Sequence, residues 1–346
     1  MSLPKEIKKE NFTIEVTTRC NSSCSHCFAT AGRSHISEFD RREALLLTEE
    51  AFHMGYRHLH ITGGEPLLWP YIIPLCDYAL SLGYETIFLN TNGHYLSEDM
   101  AQKLKTLGSA LGISVSIQGP PFVHDAIRGK GSHALAEAGL HHALEAGLQV
   151  EIFTSVGKTL LPLIPRYAND LFKTYSGITN LTLIQLIRVP RDFFNLSTEL
   201  LSPENFLQLV KATSLIALRG YPISILENPL ATVVARSLNM EWFPLAQPLY
   251  RKGRLTVLAD RSVTLAHSTR HALGHYKGGS LSSLLTSPLY EARLNERKNI
   301  CEQCRHLKVC RRWGMVRPSE WFRDEVDIPY CQRVLSLLAE EISQRA

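Results

Sequence analysis

Apolar and polar residues alternate over Phe12–Thr17, pause across a cysteine-bearing loop, and recur at helical spacing over Ser37–Met54, which stops at Gly55. The same rhythm repeats along most of the chain. His58–Thr62 reads as a short strand running into Gly63-Gly64, and Pro70–Leu82 as a helix ended by Gly83. Thr86–Asn90 is a strand leading to Thr91-Asn92-Gly93, after which Ser97 caps a helix ending near Gly108. Strands at Leu111–Ile117, Leu148–Ser155 and Leu181–Ile187 then alternate with helices at His133–Ala146, Leu163–Tyr175 and Pro203–Leu218, the last closed by Gly220.

Six strand–helix units in succession predict an α/β fold with a parallel sheet and right-handed crossovers, curled into a partial (β/α)6 TIM-like barrel. Active sites of such sheets lie at the carboxyl ends of the strands. Beyond residue 220 the rhythm changes. Arg254–Ala259, the turn Asp260-Arg261-Ser262 and Val263–Ala266 read as a β-hairpin, Leu281–Arg293 as a helix, and Val334–Gln344 as a closing amphipathic helix. The expected organisation is a barrel over residues 1–220, a linking region over 221–250 and a small C-terminal domain over 251–346.

Composition narrows the setting. The 346 residues are 45% hydrophobic and 20% charged, with 37 basic and 33 acidic side chains, a net charge of +4. No basic tail or stripe favours nucleic acid, whereas a modest positive balance suits an anionic cofactor or an acidic peptide. No apolar run reaches the roughly eighteen residues of a membrane span, and MSLPKEIKKE lacks the apolar centre of a signal peptide. A cytoplasmic location with no membrane association is therefore expected. There, eight cysteines read as metal ligands rather than as a disulfide framework. Only Cys76 stands apart from two cysteine clusters, within the apolar run Tyr71–Leu82, as a core residue.

The first cluster follows strand one: Cys20-Asn-Ser-Ser-Cys24-Ser-His-Cys27-Phe28. Three thiolates on one loop hold three irons of a cubane cluster and leave the fourth iron open to an exogenous molecule. A zinc site would require a fourth ligand, and the local candidate, His26, is badly placed beside Cys27. Thr62-Gly63-Gly64-Glu65-Pro66 closes the second strand; its glycines allow close backbone approach, and its glutamate offers an acceptor to an ammonium group.

These two motifs, one strand apart, resemble those of the radical S-adenosylmethionine (SAM) superfamily over roughly residues 12–217. The resemblance implies a 4Fe–4S cluster on Cys20, Cys24 and Cys27, with SAM chelated to the open iron. One-electron cleavage of SAM would give a 5′-deoxyadenosyl radical that abstracts a substrate hydrogen. It further implies that Gly63, Gly64 and Glu65 hold the methionine ammonium and that His26 contacts adenine. Thr91 and Asn92 would lie near the ligand, with Ser116 at the ribose or carboxylate.

The stretch Ser116-Ile117-Gln118-Gly119-Pro120, with His124-Asp125, Arg128-Gly129 and Gly131-Ser132, is similar to a signature of peptide- and protein-modifying members. Gln118 stands where that signature has aspartate. Arg128 is read either as a surface ion-pairing residue or as a partner of the cofactor carboxylate, and His124 and Asp125 as turn and capping groups.

Cys301, Cys304, Cys310 and Cys331 form the second cluster, with spacing that would also suit tetrahedral zinc. They resemble a reduced SPASM domain, the family's C-terminal cluster module. Three of its seven cysteines are missing here, with Ala266 and Gly314 at two of those positions. The resemblance implies one auxiliary 4Fe–4S cluster. Four thiolates close it to substrate and leave electron transfer or structural stapling as its role.

The reading is a radical SAM maturase that oxidises or crosslinks a peptide or protein. It would draw electrons from a partner such as flavodoxin or ferredoxin, and a separate protein would recognise a leader peptide. Gln118, Gln185 and His267 are the weak catalytic candidates. A radical SAM dehydrogenase or decarboxylase of a small metabolite or tetrapyrrole is the alternative. A non-enzymatic iron–sulfur carrier or zinc-binding protein is the alternative from another class.

Overall fold

The computed structural model describes residues 11–29, 31–32, 36–187, 196–226, 228–240, 242–243, 246, 253–267, 272–294, 301, 303–310 and 327–345. Gly314 lies outside the described residues. The elements follow in chain order: β1 Asn11–Glu15, α1 Arg41–His53, β2 His58–Thr62, α2 Ile72–Leu82, β3 Thr86–Thr91, α3 Glu98–Lys105 and β4 Leu111–Ser116. Then come α4 Pro121–Arg128, α5 Ser132–Glu145, β5 Gln149–Val156, α6 Ile164–Thr174, β6 Ile178–Gln185, α7 Pro203–Leu218, β7 Ile223–Leu226 and α8 Leu230–Ser237. The chain continues with β8 Leu255–Val257, β9 Ser262–Thr264, β10 Gly274–His275, α9 Leu281–Leu285, α10 Pro288–Leu294 and a last helix, α11, Asp327–Arg345.

All ten strands join one sheet in the order β10-β9-β8-β1-β2-β3-β4-β5-β6-β7. Neighbours from β1 to β7 are parallel, as the strand–helix rhythm predicts, and β8 adds parallel to the other side of β1. The hairpin β8–β9 and the pair β9–β10 are antiparallel.

The two faces of the sheet differ in chemistry. Ile87 and Leu89 of β3, or Val150 and Ile152 of β5, are buried in the main apolar core. Each such side chain contributes about 1.5–3 kcal/mol by leaving water. The alternate residues Phe88 and Asn90, or Glu151, Phe153 and Ser155, turn inward and line a cavity enclosed by the curled sheet.

Several boundaries move for local reasons. Helix α1 starts at Arg41 rather than Ser37, because the Asp40 side chain accepts the Glu43 N–H as its cap. Residues 37–39 instead run beside the chain after β1: Thr18 N donates to Ser37 O and Phe39 N to Val16 O. The helix expected over Leu281–Arg293 is two helices separated before Pro288, whose ring cannot continue the first.

Residues 221–250, expected as a link, contain β7 and α8, and α8 is buried along most of its length. Strands β8–β10 extend the barrel sheet rather than founding a separate one. Arg261 fastens this hairpin to α1 through Glu43, with its guanidinium over the Phe39 ring.

Candidate active site

The cysteine loop is pinned at its base. Val16 N donates to Thr62 O (2.9 Å), Gly32 N to Thr18 O (2.9 Å), and the Thr17 hydroxyl to Glu38 Oε2 (3.1 Å). Inside the loop, Cys27 N bonds Cys24 O at 3.2 Å, and Ser25 N reaches Ile127 O at 3.0 Å, tying the loop to the end of α4. Cys20, Cys24 and Cys27 are half-buried and line the cavity at the carboxyl end of β1. Burial pushes the Cys20 thiol up to about 11, opposed by the Ser22 N–H.

The loop after β2 packs directly on this one. Gly64 N donates to Thr17 O (2.7 Å) and Glu65 N to Arg19 O (2.8 Å). A Cβ on Gly64 would lie 2.3 Å from Arg19 O, and one on Gly63 2.7 Å from Thr17 O. Both glycines are thus demanded by the backbone of the cysteine loop, and both also line the cavity.

Glu65 differs from its expected role at an ammonium group. Its side chain is fully buried behind the cavity wall. Oε1 accepts Leu67 N at 3.1 Å and the Thr91 hydroxyl at 2.8 Å, and Oε2 accepts Asn92 N at 2.7 Å. Burial pushes its carboxyl upward against these three donors. The carboxylate clasps the β3 loop to the β2 loop. Asn92 passes the connection on, its Nδ2 donating to Asn21 Oδ1 at 2.8 Å inside the cysteine motif. Thr91 and Asn92 line the cavity.

The cavity has a volume of about 730 Å³. His26, Ser116 and Arg128 all line it, and the Nδ1 of His26 and the Nε of Arg128 are buried without a hydrogen-bond partner. Burial, with Arg128 alongside, lowers His26 to about 3, so the ring is neutral. Behind them, Asp125 accepts from Gly131 N (2.7 Å) and His133 N (2.9 Å) at the start of α5, and His124 Nδ1 accepts Gln118 N at 3.1 Å. Capping and turn formation are what these two residues do here.

The three catalytic candidates separate clearly. Gln118 lines the cavity, but its Oε1 accepts Ser155 N at 2.6 Å and its Nε2 donates to Phe153 O at 3.4 Å, knitting β4 to β5. Gln185 donates to the Tyr330 hydroxyl at 3.2 Å and accepts from Asn228 at 2.7 Å. Both amides serve as struts. His267 also lines the cavity, its Nε2 lies 2.8 Å from Glu15 Oε2, and its ring stands edge-on to Phe28 with centroids 4.9 Å apart.

Sequence reading missed Glu15, His60 and Glu151. Their signal is the polar half of the strand alternation, which in an isolated sheet faces solvent; here His60 and Glu151 line the cavity and Glu15 is buried against His267.

In the C-terminal set, Cys301 O accepts Cys304 N (3.2 Å), Cys304 O accepts Leu307 N (3.0 Å), and Cys310 N donates to His306 O (2.9 Å). Cys310 and Cys331 pack against the main core. Among the described residues, no three His, Cys, Asp or Glu side chains approach closely enough to share one ion. Thiolates on a cubane each hold a different iron and need a wider set. Three half-buried thiols on a cavity that His26 and Arg128 also line, each of these two with a buried nitrogen that has no hydrogen-bond partner, fit a cluster carrying a carboxylate-bearing cofactor.

Comparison with known proteins agrees. Residues 14–168 match the family described as Radical SAM superfamily. Fe-coproporphyrin III synthase of Methanosarcina barkeri is 31% identical over 160 residues, 46% of this chain and 40% of that protein. Mycofactocin maturase MftC of Mycobacterium ulcerans is 31% identical over 136 residues, 39% of this chain and 36% of that protein. The matches span about two fifths of the length of these curated relatives. The fold resembles native anSMEcpe with bound AdoMet (TM-score 0.73, 17% identity, 97% of both chains). It also resembles Streptococcus suis SuiB bound to precursor peptide SuiA (TM-score 0.67, 14% identity, 87% of this chain and 70% of that one).

Proposed function

Because residues 14–168 belong to the radical SAM superfamily, we propose that the protein is a radical SAM enzyme that oxidatively modifies a peptide or protein side chain. One observation carries this reading: the three thiols of the cysteine loop line the same cavity as His26 and Arg128. Cys20, Cys24 and Cys27 hold the cluster. The rim formed by Gly63, Gly64, Thr91 and Asn92 receives the amino-acid end of SAM, with Arg128 at its carboxylate and neutral His26 at the adenine. When bound, cluster and SAM supply a carbon-centred radical that takes a hydrogen atom from the substrate.

The remaining residues shape the space. The cavity has a volume of about 730 Å³. Its inner wall of Asn90, Glu151, Asn180, Thr182 and Ser224 is polar. This favours the peptide reading over a tetrapyrrole, although iron-coproporphyrin and heme synthases are among the relatives. The reading extends to one auxiliary 4Fe–4S cluster on Cys301, Cys304, Cys310 and Cys331 in a reduced SPASM-like segment. It also includes a flavodoxin- or ferredoxin-type reductant, a separate leader-recognition protein and a cytoplasmic setting. Among the described residues, no helix is long and apolar enough to cross a membrane.

The test is anaerobic reconstitution with iron and sulfide, followed by dithionite, SAM and a pool of short synthetic peptides containing Ser, Cys and Tyr. 5′-Deoxyadenosine together with a peptide mass change is expected. A protein that holds its clusters yet forms no 5′-deoxyadenosine overturns the reading.

A further inference from the structure

Among the described residues that line the cavity, Glu151 is the one carboxylate. It is the third residue of β5 and stands four positions, about 13 Å along the strand, before Ser155 near the carboxyl end. The register sets it opposite Asn180 of β6, and sets Thr182 of β6 opposite Ser224 of β7. Its hydrogen bonds both end on Oε1, which accepts the Thr182 hydroxyl and, at 3.1 Å, Asn180 Nδ2. Asn180 Nδ2 also lies 2.7 Å from Thr182 Oγ1 and 2.9 Å from Ser224 Oγ, so a network of neutral side chains fixes that oxygen. Oε2 accepts no hydrogen bond among the described residues, and the groups that act on the carboxyl, Thr182 and Asn180, are uncharged. Burial pushes the carboxyl above its ordinary value of 4.5 against those donors. The sheet does not require the charge, because β5 and β6 stay in register through their backbones from Glu151 to Val156.

We propose that Glu151 binds an ammonium group of the substrate at the inner wall of this cavity. The inference rests on the peptide reading of the same cavity and deepens it, since it names a positive charge that the substrate carries. A carboxylate held out of water without a cation is destabilised. A cation brought against Oε2 removes that cost and leaves the hydrogen bonds of Oε1 in place. The wall favours an ammonium over a guanidinium. A guanidinium pairs best with both oxygens of a carboxylate at once, and Oε1 already holds two donors. An ammonium is a compact charge that needs only the open oxygen and neutral acceptors, such as the Ser224 hydroxyl on the same wall. Depth divides the cavity. Gly63, Gly64, Thr91 and Asn92 lie at the carboxyl ends of their strands, whereas Glu151, Asn180 and Ser224 lie near the amino ends of theirs. The charge therefore anchors the substrate from the side away from the cofactor, and Glu151 sets specificity without touching the reacting atoms.

Two measurements decide it. Calorimetry on the metal-free full chain compares small probes: Nα-acetyl-lysine N-methylamide, norleucine N-methylamide, Nα-acetyl-norleucine N-methylamide and Nα-acetyl-arginine N-methylamide. The first carries a side-chain ammonium, the second an α-ammonium like that of a peptide's first residue, the third no charge and the fourth a guanidinium. One of the two ammonium probes should bind about thirtyfold or more tighter than the uncharged one, and Glu151→Gln, which keeps an acceptor for Thr182 and Asn180, should erase the difference. Equal behaviour of charged and uncharged probes, absence of binding included, overturns the proposal. So does a preference that survives in Glu151→Gln, or tighter binding of the guanidinium. The comparison among probes in the unaltered protein stands even where Glu151→Gln does not fold. In the reconstituted enzyme, peptides presenting the ammonium that bound should be the ones modified. There Glu151→Gln should raise KM about thirtyfold while 5′-deoxyadenosine formed without peptide stays within about threefold, and an unchanged KM overturns the proposal. Loss of 5′-deoxyadenosine in the unaltered protein would instead count against the radical reading, and the calorimetry decides Glu151 whatever the peptides do.

Discussion

Glu65 shows how a motif residue can serve a cofactor site without entering it. Its two oxygens take the Leu67 N–H, the Thr91 O–H and the Asn92 N–H, all donors. Glu65→Gln keeps the shape but turns an NH₂ toward donors that have no other acceptor, a mismatch costing about 1–3 kcal/mol. A lower urea midpoint of the metal-free protein and weaker SAM binding are expected. An unchanged midpoint would show that the clasp is dispensable. The presence of Glu65 was legible in the sequence; its use was not, because a carboxylate's role depends on which loops fold against it. The same holds for Glu15, which reads as one more polar position in a strand until Ala259 and His267 arrive from the far end of the chain.

At the scale of elements, legibility followed locality. Helix α7 matches its sequence bounds, set by the Ser202 cap with Asn205 at one end and Gly220 beyond the other. Helix α4 was not foreseen, since its eight residues are too few for a clear period. Strand β7 is four residues long, and its assignment as a link failed because pairing with β6, not its own sequence, makes it a strand.

Capping also yields a prediction for α5, whose first turn is held by Asp125. Its acceptance of the His133 and Gly131 N–H groups holds the carboxyl below its ordinary value of 3.8. A lowered folded-state pKa means that the stability it contributes is present above that value and lost as pH falls through the folded one. Asp125→Asn should therefore melt at a lower temperature than the parent at pH 7, with the gap closing below about pH 4. Thermal unfolding across that range checks it, and a gap independent of pH would remove the charge from the account.

Over the whole molecule, the sheet sorts its chemistry by face: aliphatic residues pack toward the helices, while the cavity face mixes polar residues such as Asn90, Glu151 and Asn180 with the rings of Phe88 and Phe153. The two cysteine sets relate to that cavity differently. The first lines it, while the second reaches it through Tyr330, which neighbours Cys331 and receives the amide of the wall residue Gln185. Cys24→Ala should abolish SAM cleavage. Cys304→Ala should leave cleavage running uncoupled from product, measured as 5′-deoxyadenosine without peptide modification. Equal loss in both folded variants would merge the two roles.

The placement of β8 beside β1 also orders events in time. β1 is an interior strand whose second neighbour is a segment made long after it, with Ile14 waiting for Val257. Until that segment emerges from synthesis, β1 presents an open edge, and so distant a pairing is among the slower steps of folding.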